Sequence, residues 1–311
     1  QYAASTSGPW NDIATDVWWN SSWTARRKIT LNNSASTVNL TDFPIRVSLS
    51  SSNIDYSKTQ NNGEDIRFVD ADGTALSYEI ETWNESGTSE VWVKVPQIDA
   101  GSTTDFIYMY FNNVSATDGQ SVSSVWSNGY KGVWHTKESS GTSVADSSGN
   151  SNTGTLQNGA AITSSGKIGN ANIYDGTNDI MNAGSSASLD NLYAQGNNGM
   201  TITAWANTVD SNQWSIIGMK GANANPSNAW VLEVDDSNNR LHASITGNST
   251  NFERSSTAST SYGSWQHYAM TYDHSSSPHT STNLGMYIKG AVTNGGGSGS
   301  VTTLDSDAAY D

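Results

Sequence analysis

The chain has 311 residues, with 29 Asp and Glu against 14 Lys and Arg, a formal net charge of −15 and no cysteine. So acidic a surface is repelled by phosphate backbones and anionic lipid, which argues against nucleic acid and bare membrane as partners. Disulfides and thiolate metal sites are excluded outright, and no apolar run reaches the ~18 residues that a membrane-spanning helix needs. The sequence starts at Gln1 without a basic-then-apolar leader, which fits either a cytosolic protein or a secreted one whose signal peptide has been removed. The 12 Trp, the 28 Gly and the abundance of Ser, Thr and Asn favour the second, an exposed β-protein at the cell surface.

Residues 1–17 are polar and aperiodic and read as an N-terminal arm. Trp18, Trp19 and Trp23 then precede Arg27-Lys-Ile-Thr-Leu31, which alternates as a half-buried strand does. Phe43-Pro-Ile-Arg-Val-Ser-Leu49 repeats the alternation, with the proline near its start, where a missing N–H is tolerated. Ile66-Arg-Phe-Val69 leads through the turn Asp70-Ala-Asp-Gly73 into Leu76-Ser-Tyr-Glu-Ile-Glu81. Val91-Trp-Val-Lys-Val95 and Phe106-Ile-Tyr-Met-Tyr-Phe111 complete six strands separated by turn clusters. Short alternating strands without helical runs predict an antiparallel β-sandwich over 18–127.

The order Trp-x-x-Arg-x-Ile-x-Leu, Asp-Phe-Pro, Asp-Ile-Arg-Phe-x-Asp-x-Asp-Gly, Tyr-Glu-Ile-Glu, Val-Trp-Val-Lys-Val-Pro and Tyr-Met-Tyr-Phe-Asn-Asn resembles an uncharacterised surface-domain family, the domain of unknown function numbered 2341. The resemblance carries no catalytic residues. Ser, Asn and Gly interrupt the alternation between Trp126 and Gly132, and the domain junction is expected there. An aromatic, strand-like start at Tyr130, Val133 and Trp134 then opens a second module over 128–311.

In that second part Gly132-Val-Trp-His, Asp146-Ser-Ser-Gly-Asn150, Gly166-Lys-Ile-Gly-Asn-Ala, Tyr174-Asp-Gly-Thr-Asn-Asp179 and Met200-Thr-Ile-Thr-Ala-Trp205 resemble the concanavalin A-like lectin/glucanase (laminin-G-like) jelly roll. Trp230-Val-Leu-Glu-Val234, Trp265 to Tyr272 and Leu284 to Gly290 continue it. The fold class is therefore all-β: two antiparallel β-sandwiches in tandem, the second a concanavalin A-like jelly roll. The resemblance also implies a closing strand with an Ile-Asp-Glu-like element. None is found before Asp311, so the module is read as incomplete at its C-terminus. The oxygen-rich turns containing Asp146, Asn150, Asp175 and Asp179 resemble the family's Ca²⁺ loops, since that ion takes carboxylate, amide and carbonyl oxygens. Such residues also populate turns simply because they tolerate left-handed backbone and cap it.

Glucanases of this kind carry Glu-x-Asp-x-x-Glu on one strand, which places an acid and a nucleophile on one face. Here Glu233-Val-Asp235 lacks the second glutamate, since position 238 is Asn, and Asp235 to Asn239 reads as the turn after a strand. No enzyme activity is expected. The five His form no spaced metal or triad set, and His267 reads as a core or half-core residue. Most Trp fall in strand patterns and read as core, whereas Tyr193, Trp214 and Trp230 lie nearer loops and are the candidates for stacking on a sugar. The expectation is an extracellular, non-catalytic protein for adhesion or carbohydrate binding, with a glycan or cell-surface polymer as partner. The alternative is a self-associating structural subunit of a filament, surface layer or virion, and a glycoside hydrolase is the minor third reading.

Overall fold

The computed structural model describes residues 18–193, 199–209, 214–221, 230–235, 237–247 and 250–308. The expected arm, 1–17, lies outside the described residues. The chain divides into two compact units, one of Gln1–Ser151 with Ile162–Asn172, the other of Asn152–Ala161 with Ile173–Asp311.

The first unit is an antiparallel sandwich of seven strands: β1 (Ala25–Thr30), β2 (Leu40–Leu49), β3 (Arg67–Asp70), β4 (Ala75–Leu76), β5 (Tyr78–Thr82), β6 (Ser89–Ile98) and β7 (Phe106–Phe111). One sheet has the order β1-β7-β3-β4 and the other β2-β6-β5. Alternation decides which side chains meet between them. Ile29, Val47, Phe68, Val91, Val93, Ile107 and Met109 point inward and form the core. The turn after β3 closes as its residues predict, with the Gly73 amide donating to the Asp70 carbonyl and Gly73 at positive φ. β7 is apolar on both faces because it has a second cluster to serve: Tyr108 and Tyr110 pack outward with Trp23 and Val69.

The division of units differs from the expected junction at 127/128, and the reason is physical. The outward face of β5 and β6 carries Glu79, Glu81 and Trp92, and Trp126, His135, Lys137 and Ser147 return over it, with Trp126 and Ser147 buried. Residues 132–138 form no strand, so Val133 and Trp134 do not open a sheet. They belong to a strap on the first unit.

The second unit holds two larger antiparallel sheets. One is built from Gly199–Ala206, Gln266–Asp273, Leu284–Ile288 and Ala291–Val292, the other from Ser215–Lys220, Trp230–Asp235, Arg240–Gly247, Thr250–Ser259 and Asn294–Ser298. Their inner faces contribute Tyr268, Met270, Leu284 and Met286 from the first, and Leu232, Val234, Leu241, Ala243, Ile245 and Phe252 from the second, to one shared core. The two sheets thus pack face to face as a sandwich does.

Candidate functional site

In the strand Trp230–Asp235 the even residues Trp230, Leu232 and Val234 enter the core. Period-two alternation then sends Glu233 and Asp235 to the opposite face of the five-stranded sheet. Register sets Glu233 opposite His242 and His242 opposite Ser255. The His242 Nδ1 lies 3.0 Å from Glu233 Oε1 and its Nε2 3.6 Å from Glu253 Oε2. Ser244 and Thr246 continue the buried polar floor along the same strand. At the rim the Trp214 ring stands edge-on to His242, with centroids 5.1 Å apart, and Trp214 is 51% exposed. The arrangement is a polar floor of carboxylate, imidazole and hydroxyls beside an open indole. It can hydrogen-bond hydroxyl groups and stack on an apolar ring face.

Asp235, on the same face, is engaged by its own turn. Its Oδ1 accepts from the Ser237 amide at 2.9 Å and hydroxyl at 2.6 Å, and its Oδ2 from the Asn238 amide group at 2.8 Å. Burial pushes this carboxyl up, but the Ser237 and Asn238 bonds outweigh it and hold the group below its usual range. The turn expected after this strand therefore exists, although Asp236 lies outside the described residues.

Residues 175–310 match the model for the concanavalin A-like lectin/glucanases superfamily. They form a concanavalin A-like domain. Upstream, residues 62–184 match the domain of unknown function DUF2341, a span that takes in the strap as well as β3 to β7. No curated protein and no solved structure gives a match.

Within the concanavalin A-like domain the three aromatic candidates separate. Trp214 is at the open rim just described. Tyr193 is fully buried in the core, and its hydroxyl donates to the Asp305 carbonyl at 2.8 Å. Trp230 is buried in the same core. Neither Tyr193 nor Trp230 offers a ring face to a sugar, because inward alternation and loop packing close both off. The candidate metal residues fall in different units. In the first, Asp146 Oδ1 accepts from the amides of Val133 and Ser148, both at 2.9 Å, and Asn150 donates to the Tyr130 carbonyl at 3.0 Å. The Ser148 bond closes the local turn, and the other two tie it to residues 13 and 20 positions upstream. In the second, the Asp175 amide donates to Asp179 Oδ2 at 2.9 Å and Asp175 Oδ1 accepts from the Thr177 amide at 2.8 Å. Asp179 Oδ1 is buried without a hydrogen-bond partner, so of the two turns this one has an oxygen left for a cation. No group of three or more His, Cys, Asp or Glu suited to a metal occurs among the described residues.

A further polar cluster has no counterpart in the motifs. Glu79 and Glu81 follow the alternation of β5 outward, Glu81 at a bulge between Ile80 and Thr82, yet both are buried. Glu79 accepts from Trp126 Nε1 at 2.7 Å, Lys137 Nζ at 2.9 Å and Ser147 Oγ at 2.8 Å. His135 bridges the two acids, Nε2 to Glu79 and Nδ1 to Glu81, each at 3.3 Å. Its ring stacks on Trp92, whose Nε1 donates to Glu81. Burial would lower the His135 pKa, but Glu79 and Glu81 overcome this and raise it to about 9. Burial likewise pushes Glu79 up, while His135, Lys137 and Trp126 hold it at about 2. Two carboxyl groups and the imidazole are thus enclosed beneath the strap, with Lys137 at its exposed edge. Tyr-Glu-Ile-Glu was legible as a strand, but a buried Glu on its outer face had no local signal.

Proposed function

We propose that this chain is an extracellular, non-catalytic surface protein whose concanavalin A-like domain binds carbohydrate on the polar face beside Trp214. The observation that carries the reading is the exposed Trp214 ring set against the His242–Glu233 pair. An indole covers the C–H face of a pyranose, and the floor supplies donors and acceptors for its hydroxyls. The non-catalytic part is supported by the carboxylates: Asp235 is committed to its own turn, and Glu233 to an imidazole. Retaining or inverting hydrolysis needs two carboxyl groups free to exchange protons or attack. Calcium enters this reading only at the Asp175–Asp179 turn, where Asp179 has an oxygen to spare. A surface location accords with the acidic, cysteine-free composition.

The test is a glycan array probed with the whole chain and with Trp214→Ala. Binding of the parent and its loss in the variant, with unchanged melting temperature, supports the reading. An array on which the parent binds nothing, together with self-assembly of the chain in sedimentation, overturns it in favour of a structural subunit.

A further inference from the structure

A second polar site of the same domain lies away from the sheet face, where the loop after the strand Gln266–Asp273 meets residues 302–306. A cleft of about 530 Å³ is lined there by Asn191, His274 to Ser277, His279, Thr302, Thr303, Leu304, Asp305 and Ser306, within the size range of small-ligand sites. Two of its lining residues, His274 and His279, belong to a stack of rings that continues into the core. Core Phe252 lies nearly parallel to His279 with centroids 6.4 Å apart, and His279 nearly parallel to His274 at 4.8 Å. Both imidazoles are oriented by one phenol: the Tyr272 oxygen lies 3.1 Å from His274 Nδ1 and 2.8 Å from His279 Nδ1.

That shared phenol fixes the proton inventory. Tyr272 has one hydrogen to donate and is almost wholly buried, so its hydrogen goes to one Nδ1 while its oxygen accepts from the Nδ1–H of the other. The alternative, two Nδ1–H donors, would leave a buried hydroxyl hydrogen without an acceptor, which costs on the order of 1–3 kcal/mol. Two Nε2–H tautomers would set an Nδ1 lone pair against the phenol oxygen, so with both rings neutral one presents Nε2–H and its neighbour an Nε2 lone pair. Burial, with His274 beside it, holds the His279 pKa below the usual histidine range, which favours its neutral form. His279 is only 5% exposed.

A mixed donor and acceptor pair selects its ligand. A carboxylate needs two donors and an ammonium two acceptors, whereas each hydroxyl of a polyol both donates and accepts. The hydroxyls of Ser275, Ser277, Thr303 and Ser306 around the cleft extend the same preference. We propose that the His274–His279 cleft is a binding site for a neutral polyhydroxylated ligand of about one sugar ring, separate from the face beside Trp214.

Nitrogen-15 NMR of the histidines in the whole chain tests this, with methyl glucoside, methyl galactoside, methyl xyloside and myo-inositol as polyol probes and acetate and methylammonium as the charged ones. The expected result is opposite tautomers for His274 and His279. At least one polyol should shift both Nε2 signals saturably, and the shift should persist in Trp214→Ala and weaken roughly tenfold, the equivalent of one hydrogen bond, in His279→Phe. Persistence in Trp214→Ala separates this site from the sheet face, so either can fail alone. Identical tautomers in the unmutated chain, a response to acetate or methylammonium and not to any polyol, or no response to any probe overturns the proposal.

Discussion

Replacing Glu79 by Gln keeps the volume of the side chain and removes its charge from the cluster beneath the strap. The fall of its pKa from an ordinary 4.5 to about 2 corresponds to about 3 kcal/mol in favour of the folded, ionised state, at ~1.4 kcal/mol per unit. The rise of His135 to about 9 reports the same attraction from the other side and is not added to it. Loss of one partner from a buried pair costs about 3–5 kcal/mol by comparison. Lys137, one-third exposed, can turn to water, but the enclosed His135 cannot. Glu79→Gln is therefore expected to lose about 3 kcal/mol at pH 6. The pH dependence has a definite sign. The Glu79 contribution is complete above pH 4.5 and is lost as pH falls toward 2, because the folded pKa is depressed. The His135 contribution is complete below pH 6.5 and is lost as pH rises through about 9, because its folded pKa is raised. The strap is held most firmly between about pH 4.5 and 6.5. Hydrogen exchange on peptides covering 128–151, corrected for intrinsic rates, reads its opening free energy, and an NMR titration reads His135 directly. His135→Gln should abolish the alkaline limb and shrink the acid limb to what Lys137 and Trp126 sustain. A His135 titrating near 6.5, or the same alkaline slope in His135→Gln, would refute the account of this cluster.

Three further outcomes are expected. Gly63 sits at φ +72, and a β-carbon added there would fall 2.7 Å from the Trp83 ring, so Gly63→Ala should cost about 1–3 kcal/mol in urea unfolding of the first unit, and a neutral result would mean that the loop adjusts freely. Trp230→Ala should destabilise the second unit by about 3–5 kcal/mol as a core truncation, whereas Trp214→Ala should leave its melting curve in place; the reverse order would contradict the assigned burial. Millimolar Ca²⁺ should stabilise the second unit through the Asp175–Asp179 turn, by about 2.7 kcal/mol at a hundredfold excess over Kd, and so raise its melting temperature. Asp179→Asn should remove that gain and Asp146→Asn should not, which calorimetry with and without chelator will decide.

Several features follow from residue order alone because their causes are local. Arg27 to Leu31 and Val91 to Val95 alternate apolar with polar, and a pleated strand turns every second side chain to the same face. Asp70 to Gly73 closes β3 onto β4 because glycine accepts the positive φ that this turn requires. Asp235, Ser237 and Asn238 form their turn for an equally local reason, a carboxylate reaching amides and hydroxyls two and three residues on. Alternation says which residues share a face but not what covers it. Glu79 and Glu81 fall on the outer face of a strand, and only the return of Trp126, His135, Lys137 and Ser147 over the sheet gives them partners. The aromatic candidates near loops were alike in sequence, and tertiary packing alone sent Tyr193 and Trp230 into the core while leaving Trp214 at the rim. His274 and His279 were loop residues until Tyr272, projecting from the neighbouring strand, brought both Nδ1 atoms to one oxygen. Strands and turns need only neighbours along the chain, whereas a buried charge such as Glu79 needs groups that the chain supplies from a distance, and folding alone brings those together.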